Sequence, residues 1–517
     1  MRRRLEAWGA PLVALVAVAL LIVRVVFVTE VPDLDTDAYG HHVIARVLAD
    51  HPRDVAANWV WLPLFHYLQA IAIRFGATLD TIRIVDAVIT AAIPLLLYAF
   101  LRRRRRSTPD EGSDATPLLS ALLCALSPIG MQMGTTGQTE PLFSLLVLVT
   151  IALLDARRWG WVTVVVTALC LLRYEAWAIL PAIVAVRIYD AARHRRSSEA
   201  LSLPPSDRDR PPRAPWLWPI FVPLVAIFGW AAIRAPVDGK WFWFLSATKE
   251  FARDAQQQSG PASALGLLRD LVYYPVIVPF ACFGWPLLLS PFGLLRTFRR
   301  EGSRFSLVYL SILGFVSYAW LTRSSLGLYR HLVVLLPFYS TMIANGIVTL
   351  ARAVGELPVV ARTIKAPARL VVALLGVSSL VLTARTMQGW MSDWRRKGLA
   401  QWPERRAIAA YLQTIPSSDP IFCDEPTIEV LSGLDRRRFD RRRLIDDEAT
   451  RRALTSAAPA GGAVWIASFR RSIGALDTLG EVVLPRLDQP VGQPPGQPVG
   501  EAVVLVRITP PATSVPH

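Results

Sequence analysis

PLVALVAVALLIVRVVFV, residues 11–28, carries one charge, Arg24, and no other polar side chain. As a helix it would extend about 27 Å, close to the roughly 30 Å hydrocarbon core of a bilayer. Residues 11–28 therefore predict a membrane-spanning helix, and similar blocks recur at 82–101, 117–133, 140–155, 160–173, 175–189, 216–234, 271–295, 305–321, 331–350 and 369–386. About eleven crossings are expected. Arginines 2 to 4 precede the first block, as in a signal peptide, but the block runs into Phe27-Val28-Thr29-Glu30-Val31-Pro32 without a small-x-small cleavage site. It reads as a retained first helix.

Of the 517 residues, 53% are apolar and 19% charged, a balance that with this blocked arrangement points to lipid as the solvent. The net charge of +16 would suit nucleic acid, yet the arginines gather in short clusters at 2–4, 102–106, 187–213, 296–304 and 352–369. These fall in alternate connections, so all can face the cytoplasm together. The expectation is a multi-pass protein of a prokaryotic plasma membrane with a cytoplasmic amino terminus. Its partner is the lipid bilayer and not nucleic acid. Cys124, Cys170 and Cys282 lie inside apolar blocks and Cys423 stands alone, so neither a disulfide framework nor a zinc spacing is present.

The fold class expected is mainly α, a polytopic helical bundle over 1–387 with external loops at 29–81 and 235–269, followed by a small extracytoplasmic α/β domain over 388–517. That tail predicts a helix at 404–413 and strands at 420–423, 463–467, 481–484 and 502–508. Arg436, Arg437, Arg438, Arg441, Arg442 and Arg443 suit solvated surface, or contact with lipid phosphates or an acidic acceptor. The Pro/Gly/Gln-rich stretch 489–500 reads as a flexible loop. In the first loop, Asn58-Trp59-Val60-Trp61-Leu62-Pro63-Leu64-Phe65-His66-Tyr67-Leu68 is too short and aromatic for a span and predicts an interfacial helix.

Directly after the first helix comes Pro32-Asp33-Leu34-Asp35-Thr36-Asp37-Ala38-Tyr39-Gly40-His41-His42. In an extended segment the three carboxylates would share one face and raise the proton affinity of at least one of them, as a general base requires. Alternatively Asp35 or Asp37 caps a helix over 38–49, which His41 and His42 would begin.

The arrangement resembles the C superfamily of membrane glycosyltransferases (GT-C), closest in layout to the branch of protein O-mannosyltransferases and the lipid A aminoarabinose transferase. Asp37-Ala38-Tyr39 is similar to the acidic start of that family's first external loop, with Ala38 where a second carboxylate is common and Asp35 able to supply the charge. Trp61-Leu62-Pro63-Leu64-Phe65-His66-Tyr67-Leu68 resembles its Trp-x-Pro-Pro-Leu segment, one proline short. Gly137-Gln138-Thr139-Glu140-Pro141-Leu142, Leu172-Arg173-Tyr174-Glu175-Ala176-Trp177 and Leu328-Tyr329-Arg330-His331 resemble its later acidic and arginine-bearing motifs. The likeness covers residues 1 to about 390.

The resemblance implies inverting transfer of a sugar, such as a mannose or another pentose or hexose. The donor is a polyprenyl-phosphate sugar and the acceptor a protein, lipid or glycan on the outer side. Asp37, with Asp35, is the expected catalytic base. Arg173, Arg330 and Lys240 are candidates for the departing phosphate, which guanidinium groups bind bidentately. Glu140, Glu175, His331 and His66 complete the expected substrate contacts. Each has a plainer reading: Arg173 and Glu175 as a pair at a helix end, Glu140 as a cap, Arg330 and His331 as interfacial anchors, and Lys240 in a membrane-dipping hairpin. No cofactor is expected. A divalent ion at Asp35 and Asp37 is the weaker alternative, because a monophosphate needs less neutralisation and arginines are at hand. No P-loop, His-Glu-x-x-His or Gly-x-Gly-x-x-Gly pattern appears. A transporter or flippase is the rival class, but its ionisable groups would sit at mid-membrane among paired repeats. A membrane scaffold would leave the acidic loop unexplained.

Overall fold

The computed structural model describes residues 2–33, 35–106, 115–201, 217–257, 264–356, 367–400, 403–423, 425–440, 463–469, 481–484 and 503–508. The chain is a helical bundle with a small sheet at its carboxyl end. The bundle contains α1 (Arg2–Glu30), α2 (Thr36–Asp50), α3 (Pro63–Arg74), α4 (Leu79–Arg106), α5 (Thr116–Ala125), α6 (Pro128–Met133), α7 (Glu140–Asp155), α8 (Trp159–Leu172) and α9 (Ile179–Leu201). It continues through α10 (Trp218–Asp238), α11 (Trp243–Gln257), α12 (Ala264–Val272), α13 (Val278–Phe283), α14 (Ser290–Arg300), α15 (Gly302–Leu321), α16 (Leu336–Gly355) and α17 (Pro367–Ala400).

Among the described residues, seven helical stretches are long and apolar enough to cross a bilayer: Trp8–Glu30, Leu79–Arg105, Trp218–Asp238, Gly266–Phe283, Gly302–Leu321, Tyr329–Gly355 and Ala368–Gly398. Their outer faces carry exposed Leu15, Phe221, Phe228 and Leu374, as lipid contact requires. Helices α5, α7, α8 and α9 are shorter or more charged. Eleven crossings require these four to span as well.

Helix α16 is buried nearly all round and forms the bundle's axis. In lipid, helices associate by close packing of small residues. A Cβ on Gly293 would meet the Met342 carbonyl oxygen at 1.8 Å, and one on Gly346 the Leu289 oxygen at 1.9 Å, so both positions need glycine for the backbones to touch.

Two expected spans are broken. Residues 117–133 divide into α5 and α6, because Ser127 caps a new helix at Pro128. Residues 271–295 are no single span: a π-helical turn at Tyr273–Ile277 leads to α13, which stops at Gly284 (φ 62°), and a 3-10 turn at Trp285–Leu289 then leads to α14. The polar residues Arg296, Arg299 and Arg300 make α14 amphipathic rather than spanning. The 29–81 loop contains α2 and α3, and α3 starts at Pro63 within the predicted interfacial segment.

After α17 come α18 (Pro403–Leu412), β1 (Ile421–Cys423), α19 (Pro426–Ser432), β2 (Phe439–Asp440), β3 (Val464–Phe469), β4 (Glu481–Leu484) and β5 (Val503–Ile508). The sheet order is β2-β1-β3-β5-β4, with β1 parallel to β2 and β3, and β5 antiparallel to β3 and β4. Ile408, Leu412, Ile421, Ile428 and Trp465 form its core. This unit rests on α2 through Arg46 to Glu429 (3.5 Å) and Arg436 to Asp50 (3.0 Å). Arg436 is thus a contact within the chain, and Arg438 donates to the Pro416 carbonyl. Arg441, Arg442, Arg443 and the 489–500 stretch lie outside the described residues.

Candidate active site

The chain leaves α1 at Val31-Pro32 and restarts a helix at Thr36, with Asp35 as the cap: its carboxylate accepts from the Asp37 amide at 3.1 Å. The three aspartates do not share one face, as an extended strand would require. Asp33 turns inward, accepting from the amides of Asp35 and Gly137 at 3.0 Å each. Arg83 of α4 approaches it at 3.6 Å and donates to the carbonyls of Val28, Val31 and Thr135. Asp33 and Arg83 are therefore a strut that joins α1, α4 and the 134–139 turn.

Asp35 and Asp37 face the other way, onto Arg330 from the 3-10 turn Tyr329–Leu335. Its Nη1 donates to Asp35 at 2.7 Å, its Nη2 to Asp37, and its Nε lies 3.3 Å from Glu140. Glu140 starts α7 and also receives Arg173 Nη1 at 2.7 Å. Arg173 closes a two-toothed pair with Glu175, through Nε at 3.1 Å and Nη2 at 2.7 Å, and reaches the Thr139 hydroxyl. His331 Nδ1 sits 2.7 Å from Glu175. Four segments, the α2 start, the α7 start, the link after α8 and the Tyr329–Leu335 turn, thus deliver Asp35, Asp37, Glu140, Arg173, Glu175, Arg330 and His331 to one place. Burial pushes the Asp35 carboxyl up to about 6; Arg330 pulls against that and Asp37 adds to it.

This network lines a cavity of about 440 Å³. Asp37, Glu140, Arg173, Glu175, Arg330 and His331 are on its wall, joined by His41 and by Trp59 and Trp61. One side is greasy: Phe315, Val316 and Ala319 from α15, with Leu245 from α11. Trp59 takes a left-handed backbone (φ 46°), a strained geometry of the sort that clusters at functional sites.

His66 does not line the cavity. It is fully buried behind His41, with Nε2 2.7 Å from His41 Nδ1. Lys240 is also absent from the wall: it lies exposed on the turn after α10. The lysine that does line the cavity is Lys249 of α11. Leu245, Thr248, Lys249 and Ala252 recur at helical spacing on that wall, so the periodicity of 243–257 carried the signal that sequence reading passed over.

Solved structures share this architecture. The crystal structure of ArnT from Cupriavidus metallidurans bound to undecaprenyl phosphate aligns with a TM-score of 0.55 at 12% identity, over 96% of this chain and 98% of that one. Its apo form gives 0.54 at 14% identity with the same coverage. The fold resembles that of GT-C enzymes. The Archaeoglobus fulgidus oligosaccharyltransferase tethered with an acceptor peptide aligns more loosely, at a TM-score of 0.47 and 10% identity, over 90% of this chain and 70% of that one. No protein-family model and no curated protein matches the sequence. On this scaffold the acidic loop, the α7 start and the Arg330 turn converge although 293 positions separate Asp37 from Arg330.

Proposed function

We propose that the chain is an inverting glycosyltransferase that takes a sugar from a polyprenyl phosphate and hands it to a hydroxyl of a protein, lipid or glycan on the outer side of a prokaryotic plasma membrane. One observation carries the reading: a carboxylate, Asp37, stands on the wall of a cavity that is charged on one side and apolar on another. The GT-C fold, shared with an enzyme whose crystal structure holds undecaprenyl phosphate, supports it.

Arg330 occupies only Oδ2 of Asp37, so Oδ1 has no hydrogen-bond partner among the described residues. As the acceptor hydroxyl attacks the anomeric carbon, that oxygen takes the proton, and the carbon–oxygen bond to phosphate breaks with its electron pair passing to the phosphate. Attack opposite the leaving group inverts the sugar. The apolar α15 side suits the prenyl chain. Arg173 and Arg330 direct their N–H groups at Asp35, Asp37, Glu140 and Glu175, which occupies both guanidinium groups within the network. The growing phosphate charge is then met by Lys249 and His331 at the cavity wall. A divalent ion between Asp35 and Asp37 does not fit, because the Arg330 guanidinium holds both.

The test is transfer from a panel of labelled polyprenyl-phosphate sugars by purified protein, with and without chelator. Transfer that survives chelation and is lost in Asp37→Asn is expected. Undiminished transfer by Asp37→Asn removes Asp37 as the base, and loss on chelation of the wild type restores the metal.

A further inference from the structure

His41 lines the cavity, and the charges around it do not explain its Nε2. Its protonation state follows from a chain of contacts that begins at α10. There Arg234, paired with Asp238 at 2.7 and 2.8 Å, donates to the Val55 carbonyl at 2.8 Å. That carbonyl can only accept, so the Asn58 atom 3.3 Å from it is the amide nitrogen. Asn58 Oδ1 therefore faces His66 Nδ1 at 2.7 Å, which must carry a proton. His66 is buried, and burial together with His41 keeps it neutral, so its Nε2 is an acceptor. His41 Nδ1, 2.7 Å away, must in turn be the donor. What remains on His41 is an Nε2 lone pair, with no hydrogen bond to it among the described residues.

The ring cannot turn to hide that lone pair. Trp61 packs at 4.6 Å between centroids and Phe65 edge-on at 5.3 Å. Gly40 lets Trp61 come this close, since a Cβ there would meet its ring at 3.2 Å. Asp37 and His41 are four residues apart on α2, hence neighbours on one helix face, and both line the cavity.

Resting on the transferase reading, we propose that His41 is a substrate-binding residue: its Nε2 accepts a hydrogen bond from a substrate hydroxyl and holds that group beside Asp37, while His66 and Asn58 are positioning residues that fix the tautomer. A neutral acceptor beside a carboxylate selects a hydroxyl over an ether or a carbonyl, both of which lack a proton to give. Burial pushes the His41 imidazole down to about 4 despite Asp37 and Glu140, with Arg330 and Arg173 acting in the same direction as burial, so the acceptor form persists at neutral pH.

The tautomer is measured directly by nitrogen-15 spectra of histidine-labelled, detergent-purified protein, with the His41 signals assigned by their loss in His41→Gln. Protonated Nδ1 and bare Nε2 between pH 6 and 8 are expected; a protonated Nε2 overturns the proposal. Polyprenyl-phosphate mannose, or the panel sugar transferred fastest, is then added alone and with a serine peptide or a methyl glycoside. A shift of Nε2 with the carrier alone assigns the contact to a sugar hydroxyl, and a shift only with the acceptor assigns it to the attacking one. No shift with a donor that the wild type turns over overturns the proposal while the transferase reading stands. No transfer by the wild type with any donor overturns both.

In kinetics, His41→Phe is expected to raise the KM of the contacting substrate about tenfold, and His41→Gln, whose amide oxygen can take the place of Nε2, to recover most of it. Equal KM values in all three proteins overturn the contact. Asn58→Asp gives the positioning test. A carboxylate there raises the proton affinity of His66, and a protonated His66 donates from both nitrogens, which forces His41 to carry its proton on Nε2. Transfer should then fall at a higher pH on the acid side than in wild type and recover as pH rises. An unchanged profile overturns the tautomer relay.

Discussion

Two ionic clusters tie the helices together, and the contrast between them separates chemistry from scaffolding. Glu140 begins α7 and Asp155 ends it, so the clusters stand about 22 Å apart along that helix. At one end Asp37, Glu140, Glu175, Arg173 and Arg330 border the cavity, with Asp35 joined to them through Arg330, and Asp37 keeps a third of its side chain accessible. At the other, Arg105 pairs with Glu301, Asn345 donates to Glu301 and to Thr297, and Arg304 pairs with Asp155 and Asp190. Glu301 and Asn345 are fully buried and neither lines the cavity. Similar residues thus do different work: an ion pair on a cavity wall can change partners during a reaction, whereas one whose carboxylate, Glu301, is sealed among helices away from the cavity can only hold them.

Substitutions at the two ends should separate activity from stability. Asp37→Asn removes the proposed base while keeping shape, and should cost about 10²- to 10⁴-fold in kcat with the melting temperature nearly unchanged. Glu301→Ala removes a fully buried carboxylate that Arg105 and Asn345 hold, and should destabilise the protein by about 3–5 kcal/mol while the protein that remains folded transfers normally. Thermal unfolding in detergent beside single-turnover transfer reads both. If the two variants lose stability alike, the distinction between the clusters fails.

The pH response sharpens the same contrast. Asp35 has its carboxyl raised to about 6 by burial, above the ordinary 3.8, with Arg330 opposing and Asp37 adding to the rise. A raised folded-state value means that the ionised form costs stability, fully above about pH 6, and that the cost fades as acid protonates it. Function runs the opposite way, because only the ionised carboxylate shares Arg330 with Asp37. Transfer should therefore fall on acidifying through pH 6 while the fold gains stability. Asp35→Asn should lack that limb and be at least as stable as wild type at pH 7.5. A wild-type profile flat from pH 5 to 8 would remove Asp35 from the working site.

How far the sequence could be read depended on the range of the interactions. Hydrophobic blocks are local, so α4, α7, α8 and α15 begin and end within a few residues of expectation. In the tail, alternating apolar residues placed β1, β3, β4 and β5 within one or two residues, but the two-residue β2 and the seven-residue α19 carried too little pattern to show. The break at Gly284 was missed because apolar composition persists across it. At the site, Asp35, Asp37, Glu140, Arg173 and Arg330 were named as separate candidates, yet nothing local says that one arginine holds three carboxylates. The inward turn of Asp33 depends on Arg83, fifty positions on, and an isolated Asp-x-Asp-x-Asp pattern cannot tell that one member will be a strut.

The two lysines near the cavity give the smallest and most discriminating effect. Lys240 follows a left-handed Gly239 at the end of α10, on a turn that projects it into solvent, and screening there leaves little interaction with a bound phosphate. Lys249 stands on the α11 face that closes over the apolar side, where a phosphate joined to a prenyl chain on α15 would come within reach of its ammonium. The charge is the same, and only its placement differs, on a turn for one and on a cavity-lining helix for the other. Lys249→Ala should raise the KM for the lipid-linked donor about three- to tenfold, with the gap from wild type narrowing as salt is added, since an exposed ammonium is readily screened. Lys240→Ala should leave the donor KM within twofold. If Lys240→Ala shows the larger effect, the phosphate enters from the α10 turn, and the apolar α15 wall is then not where the prenyl chain lies.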